Sequence, residues 1–358
     1  MRPSNPLPAA SPASRKPFII PLFIPHAGCP HRCVFCDQHS TTGAEAPLPP
    51  LSQIHAAIAQ FLGYRRDAGR YTEISFYGGN FLGLDPETLV RLLEAVSPYV
   101  DQGKVDGIRF STRPDTIDER RLALISGFPV TTVELGVQSM NDTVLSTSRR
   151  GHSAQEVIAA VAQLKQTPYA IGLQVMIGLP GDTPVLAIAT GEQIAALGPD
   201  LARIYPALVI EGSPLARWYR QGRYVPWDME TAIDVAGRLY TLFTGQGINV
   251  IRMGLQPTAE LNAERAVLAG PFHPAFGELV HSALWFQCLC NAMDASNIRS
   301  GRLVLGVHPR CLSRARGHRN GNIRKLQSKY FLSAIRVVGV SGLDPRVILV
   351  NGSAQRLL

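Results

Sequence analysis

No apolar run in the sequence approaches the roughly 18 residues that a membrane-spanning helix needs, so a span of that kind is excluded. Cysteine is scarce. Six in 358 residues are too few for a disulfide framework. No internal repeat stands out, which excludes a solenoid reading. Residues 1–16 (MRPSNPLPAASPASRK) lack both an amphipathic stripe and an apolar core, and they read as a flexible tail rather than a targeting peptide. What is present points the other way. Hydrophobic residues make up 46% of the chain, enough to bury a core and to exclude wholesale disorder. The length suits one large α/β unit with a small appendage. Three of the six cysteines crowd together as Cys29, Cys33 and Cys36, which indicates metal rather than cross-links and, with it, a reducing, cytoplasmic setting.

Charge is unevenly placed. From Arg299 to Leu358 there are twelve Lys and Arg against the single acid Asp344, a local net of +11, whereas residues 1–298 carry 23 basic and 26 acidic groups. A near-neutral body with a basic tail domain indicates a polyanionic partner, or else a solubilising face.

From Phe18 onward short β-rich runs alternate with helical patterns. The expected strands are Phe18–Phe23, Glu73–Tyr77, Gly107–Ser111, Thr131–Leu135, Ile171–Met176 and Leu201–Pro206. Helices are expected near Ser52–Ala68, Pro86–Ser97, Asp118–Ser126, Ala154–Lys165 and Pro184–Ala196. Asp85-Pro86 and Thr183-Pro184 read as N-cap and first-turn pairs, and Ser153 with Glu156 as a capping box. Six β/α alternations predict parallel strands with crossover helices, hence a full or partial barrel whose chemistry lies beyond the C-terminal strand ends. After Gly254 the pattern changes: one long helix over Gly277–Asp294, then strands near Leu303–Val307, Ile335–Val340 and Val347–Val350. The expected division is a tail over 1–16, a barrel over 17–255, a helical extension over the barrel at 256–298 and a small basic α+β domain at 299–358.

The central signal is Cys29-Pro-His-Arg-Cys33-Val-Phe-Cys36, just after the first strand. Three thiolates at CxxxCxxC spacing in one loop suit three corners of a 4Fe–4S cubane and leave the fourth iron without a protein ligand. S-adenosylmethionine (SAM) can chelate an open iron through its amino and carboxylate groups, and electron transfer into the sulfonium would release a 5′-deoxyadenosyl radical. Phe35 would shield the cluster. The competing reading is a zinc ion with a distant fourth ligand, His26 or His39.

With that loop the chain resembles the radical SAM superfamily, whose signature is this CxxxCxxC with an aromatic before the last cysteine. Ser75-Phe-Tyr-Gly78-Gly79-Asn80 then stands where the superfamily keeps its Gly-Gly motif. Glu134-Leu-Gly-Val-Gln138-Ser139, Arg149-Arg150-Gly151-His152, Gly178-Leu-Pro-Gly181 and Arg203-Ile-Tyr205-Pro make the series similar to the radical SAM domain of the Elongator catalytic subunit, with oxygen-independent coproporphyrinogen oxidases as more distant kin. The likeness covers about Pro17 to Leu255. It implies that Gly78 and Gly79 bind the methionyl amino group, with Asn80 in place of the usual acid or threonine. It places Glu134 and Gln138 near the SAM carboxylate or substrate, Gln174 at the ribose, Lys165 at the carboxylate and the Gly178–Gly181 turn beside the adenine. Ordinary buried amides would also explain Gln138 and Gln174, a helix-dipole cation Lys165, and packing Tyr205.

The Elongator subunit carries an acetyltransferase domain after its radical domain. No R-x-x-G-x-G/A pattern occurs in residues 256–358, where Arg314-Ala-Arg-Gly317-His-Arg fails at the last glycine, so acetyl transfer is not expected. Instead Gly317-His-Arg-Asn320-Gly321-Asn-Ile323-Arg-Lys-Leu326 loosely resembles the loop and helix of a KH domain. Arg314, Arg316, Arg319, Arg324 and Lys325 would contact phosphates there, unless this is only a basic surface loop. Cys288, Cys290 and Cys311 read as buried thiols, and Gly270–His281 as a tight turn or a cover for the barrel mouth. The expected activity is a cytoplasmic radical SAM enzyme holding one 4Fe–4S cluster and acting on a tRNA nucleoside. Its electrons would come from a flavodoxin or ferredoxin, and a separate protein would supply any second activity. The alternatives are a radical SAM enzyme for a small anionic metabolite, as in the coproporphyrinogen oxidase branch, and an RNA-binding iron–sulfur protein.

Overall fold

The structure, a computed structural model, describes residues 17–37, 48–67, 69–255 and 266–356. The expected tail over 1–16 and His39 lie outside them. Two compact units divide the chain: residues 1–229 with 239–272, and residues 230–238 with 273–358.

The first unit is a parallel sheet with crossover helices. Strands β1 (Phe18–Phe23), β2 (Thr72–Tyr77), β3 (Gly107–Thr112), β4 (Val130–Gln138), β5 (Ala170–Ile177) and β6 (Leu201–Pro206) pair in sequence order, each parallel to the last. The short pair β7 (Val209–Ile210) and β9 (Val267–Ala269) stands apart, while β8 (Asn249–Met253) adds a seventh parallel strand beside β6. Because β1 and β8 are the two ends of the order, the sheet is a partial barrel, one strand wider than the six alternations expected. Asn249-Val-Ile-Arg-Met is an end strand whose residues are all half-buried or exposed, so it lacks the apolar run that marks its neighbours.

Helices α1 (Leu51–Tyr64), α2 (Pro86–Asp101), α3 (Glu119–Ile125), α4 (Asp142–Thr147), α5 (Ala154–Leu164) and α6 (Pro184–Ala196) lie between the strands; α7 (Pro214–Arg220) and α8 (Met229–Gly245) precede β8. Their starts are capped where the sequence signals them. Asp85 accepts from the Thr88 amide at 2.9 Å, Thr183 from Leu186 at 3.2 Å, and Ser153 with Glu156 forms a reciprocal capping box. Phe76, Phe81 and Phe110 stack with successive centroid separations of 4.7 Å beneath the C-terminal ends of β2 and β3. That fully buried stack gives the loops above it a rigid floor.

The second unit contains α9 (Phe276–Ala295), β10 (Gly301–Val307), α10 (Leu312–Arg316), α11 (Gly321–Lys329), β11 (Leu332–Gly339), β12 (Val347–Val350) and β13 (Ser353–Arg356). Its sheet runs β11-β10-β12-β13, with β10 and β11 parallel and the rest antiparallel. Helix α9, expected in an extension separate from the basic domain, shares that domain's core: Leu289, Cys290 and Met293 pack with Leu303, Leu305, Leu326 and Ile348. Burying the α9 face covers a small sheet that could not otherwise exclude water.

Candidate active site

The three cysteines sit in the loop that leaves β1, and the next strand's loop fixes its base. The amides of Ile24 and His26 donate to the carbonyls of Tyr77 and Gly78 at 2.8 and 3.0 Å, and the Asn80 amide returns a bond to Ala27 at 2.8 Å. Gly78 has φ +90°, and a Cβ on Gly79 would lie 2.5 Å from the Ile24 carbonyl oxygen and 2.6 Å from that of Ala27. Only glycine lets the two loops approach this closely. Asn80 is fully buried. Its Nδ2 donates to the Gly28 carbonyl at 2.8 Å, and its Oδ1 accepts from Thr112 Oγ1 at 2.7 Å, from the Arg113 amide at 3.0 Å and from Thr116 Oγ1 at 3.0 Å. The Asn80 side chain, expected at the cofactor, ties the cysteine loop to the end of β3.

Higher up, Val34 donates to Ser148 at 3.1 Å and accepts from the Leu215 amide at 2.7 Å. Phe35 packs against two buried clusters, one holding Val34, Leu215 and Tyr224 and the other Val144, Met176 and Leu179. None of the three cysteines forms a disulfide; Cys33 is buried, Cys29 and Cys36 half-buried. Burial pushes the Cys29 thiol up, Cys33 pushes it further, and the guanidinium groups of Arg113 and Arg150 pull it down. Among the described residues no three His, Cys, Asp or Glu side chains converge as ligands of one metal ion; His39, a candidate zinc ligand, lies outside them. A buried guanidinium on one sulfur, Arg150 Nη1 to Cys33 Sγ at 3.2 Å, fits a larger group carrying negative charge on sulfur. So do two buried nitrogens without partners, Arg150 Nε and His152 Nδ1.

Inside the barrel a charged network crosses four strands. Arg109 on β3 binds Glu73 on β2 and Glu134 on β4, the latter at 3.1 Å. Arg203 on β6 binds Glu134 twice, once at 2.9 Å, and donates to Tyr77 Oη at 2.7 Å and Tyr205 Oη at 3.0 Å. Tyr77 adds a bond to Glu134 at 3.3 Å, and its hydroxyl is pushed up to about 12 by burial and by the Glu134 charge. Burial opposes ionisation of Glu134, but the Arg203 and Arg109 charges prevail and hold its carboxyl below the ordinary range. Glu134 was expected at the SAM carboxylate or substrate. In the structure both of its oxygens accept from protein donors.

Gln138 ends β4 with φ +71°, a left-handed conformation that a β-branched residue would resist and that sits at a register shift against β5. Gln174 Nε2 donates to Gln138 Oε1 at 3.2 Å, so the two amides expected near SAM do meet. Lys165 does not join them. It caps the C-terminus of α5, and α5 runs back against the strands, which leaves Lys165 five residues before β5 begins and 3.8 Å from where a Gly198 Cβ would lie, just ahead of β6. That is the end of the sheet opposite the cysteines, so Lys165 is corrected to a helix-terminal cation. Beyond β5, Gly178–Asp182 with Trp218, Arg223, Tyr224 and Trp227 lines a cavity of about 330 Å³. Burial pushes the Asp182 carboxyl up to about 6 against the pull of the Gly178 and Thr183 amides.

Two family models match, one described as the radical SAM superfamily over residues 23–186 and one as the radical SAM C-terminal domain over residues 199–285. The chain belongs to the radical SAM superfamily. It is an enzyme of that class, related to Elongator-type tRNA-modification proteins. A tRNA uridine(34) acetyltransferase of Dehalococcoides mccartyi is 26% identical over 56% of this chain and 50% of its own length. One of Methanocaldococcus infernus is 27% identical over 61% and 48%, and Elongator complex protein 3 of Saccharomyces cerevisiae 27% over 61% and 47%. The chain thus spans about half the length of these relatives. The solved structure of archaeal Methanocaldococcus infernus Elp3 with an N-terminal deletion shares the fold, with a TM-score of 0.59, 22% identity and coverage of 79% of this chain and 63% of that one.

In this radical SAM chain the basic candidates of the second unit separate into two kinds. Arg314 faces a carboxylate, Glu278, at 3.0 and 3.2 Å in a partly exposed ion pair. Arg316 donates to the Val337 carbonyl, Arg324 to that of Arg319, and Lys325 lies 5.6 Å from the Phe286 ring centroid, leaving their charges unbalanced by any of these partners. Arg319 and Asn320, exposed at the tip between α10 and α11, both take positive φ. Cys288, Cys290 and Cys311 are free thiols, the last two buried. Arg109 was missed by sequence reasoning, and Arg203 and Arg150 entered it only as members of matching motifs, without a role of their own. An Arg inside an otherwise apolar central strand is itself a signal, since such a charge is buried only when paired.

Proposed function

We propose that Cys29, Cys33 and Cys36 hold a 4Fe–4S cluster with one iron left open to S-adenosylmethionine, and that the enzyme abstracts hydrogen from a tRNA nucleoside. The observation that carries the reading is one loop bearing three thiols outside any disulfide, with a buried cation on Cys33 Sγ and the Gly78-Gly79 turn hydrogen-bonded to the base of that loop. When bound, the cluster supplies the electron that breaks the C5′–S bond of SAM, giving methionine and a 5′-deoxyadenosyl radical. The chain's part is positioning. The rigid Gly78–Gly79 turn presents backbone to the methionyl end, the Gln138–Gln174 amide pair serves the ribose, and Phe35 keeps water from the cluster loop. The electron donor in this reading is a flavodoxin or ferredoxin.

Two observations support RNA as the substrate. The relatives that match over the barrel include tRNA uridine(34) acetyltransferases. The second unit carries Arg316, Arg319, Arg324 and Lys325 on a strand–helix–turn–helix–strand arrangement like that of a KH domain, where cations contact phosphates without reading sequence. Acetyl transfer forms no part of the reading. The test is anaerobic reconstitution with iron and sulfide, addition of SAM and dithionite, and quantitation of 5′-deoxyadenosine with and without bulk tRNA. Formation that rises with tRNA and vanishes in Cys33→Ala is expected. Formation indifferent to tRNA, with binding that is absent or independent of salt, would overturn the RNA part.

A further inference from the structure

A buried guanidinium is expensive to remove from water, and proteins normally place a carboxylate against it. Arg113, next to the cysteine loop, follows the rule: it holds Asp115 with two bonds, at 2.9 and 3.0 Å. Arg109 and Arg203 follow it through Glu73 and Glu134. Arg150 does not. Only 6% of it is exposed, and among the described residues it makes no ion pair with a carboxylate. Its Nη1 meets Cys33 Sγ at 3.2 Å, its Nη2 donates to the Gly136 carbonyl, and its Nε is buried with no partner.

The position is fixed rather than incidental. The Arg150 amide donates to Leu145 at 3.0 Å, and its carbonyl accepts from Arg113. Gly136 leaves room for the guanidinium, since a Cβ there would come within 3.2 Å of Nη2. The next residue, Gly151, has φ +69°, and a Cβ on it would lie 2.2 Å from the His31 ring of the cysteine loop. Backbone, strand and loop therefore converge to hold one cation against one sulfur.

We infer that Arg150 is a positioning residue for the cluster: its guanidinium is the counter-charge and hydrogen-bond donor of the Cys33 thiolate, and through that sulfur it sets the reduction potential. This rests on the cluster reading above. A protonated thiol would leave the cation uncompensated, whereas a thiolate carrying cluster charge balances it. Hydrogen bonds to ligand sulfur and nearby positive charge both favour the reduced, more negative state, so Arg150 raises the potential and eases electron entry.

The test uses the full chain, reconstituted anaerobically without SAM, in wild type, Arg150→Lys, Arg150→Met and Arg149→Met. Arg149 is the exposed neighbour, with its guanidinium 5.9 Å from the Trp218 ring, and it serves as the control. Iron and sulfide content is measured first, then the midpoint potential by a redox titration read by electron paramagnetic resonance. The expected order is wild type and Arg149→Met highest, Arg150→Lys lower and Arg150→Met most negative. If Arg150→Met folds but takes up no cluster while Arg150→Lys keeps a cluster of lowered potential, the inference also stands. Equal potentials in both Arg150 variants and wild type, at full cluster loading, overturn it. A wild type that assembles no 4Fe–4S cluster would instead overturn the underlying reading.

Discussion

Two buried clusters of charge lie in the first unit, and they balance their charges in opposite ways. In the barrel centre Arg109 and Arg203 are closed off by Glu73 and Glu134. At the cysteine loop Arg150 is also buried, but its side-chain partner is a sulfur, Cys33 Sγ, rather than a carboxylate. The first arrangement is complete as the chain folds. The second, on the reading proposed above, is completed by the cluster that the cysteines would hold. The difference teaches that a buried charge marks a site only when the chain itself fails to balance it.

Breaking the open side should have the largest effect. Cys33→Ala is expected to abolish both cluster retention and 5′-deoxyadenosine formation, read by iron content and product assay. Breaking the closed side should instead register as stability. Glu134→Gln leaves Arg203 buried without a carboxylate and halves the compensation of Arg109, a loss of roughly 3 kcal/mol in denaturant unfolding of the metal-free chain. Arg150→Met in the same metal-free assay should lose far less or gain stability, since it removes a cation that no carboxylate balances. Equal losses in the two variants would erase the comparison.

Gly79→Ala should fall between these, at about 1–3 kcal/mol, because its Cβ would press on the Ile24 and Ala27 carbonyls and push the cysteine loop from its seat. A drop in cluster loading without any loss of stability would contradict that placement.

A further effect concerns pH. Burial, then Arg150 and Arg113, lowers the His152 ring to about 3, far under its ordinary value. The folded state therefore keeps it neutral while the unfolded chain protonates it. Its contribution is present above about 6.5 and is lost as pH falls from there toward 3. His152→Gln should flatten that part of the stability profile; an unchanged slope would show the ring is accessible to protons.

How far the sequence alone reaches follows the same line. Strands such as Phe18–Phe23 and Leu201–Pro206 were legible to the residue, because apolar runs bounded by turn residues report their own burial. The Cys29–Cys36 loop and the Gly78-Gly79 turn were legible because their chemistry lies in local spacing. Lys165 was misread, and the arginine partners of Glu134 were not foreseen, because the end of the sheet a residue occupies and its cross-strand partners are not local. Arg150 was invisible as a functional residue for the same reason: its sulfur partner lies 117 positions away in the chain. Strand β8 escaped because an end strand with exposed polar residues carries little periodic signal.

The most direct measurement of the central claim is the electron paramagnetic resonance spectrum of the reconstituted, dithionite-reduced chain before and after SAM is added. A 4Fe–4S signal that changes on SAM binding, and that is missing in Cys33→Ala, is the predicted result. A fully loaded cluster whose signal is indifferent to SAM would contradict an open iron held by Cys29, Cys33 and Cys36.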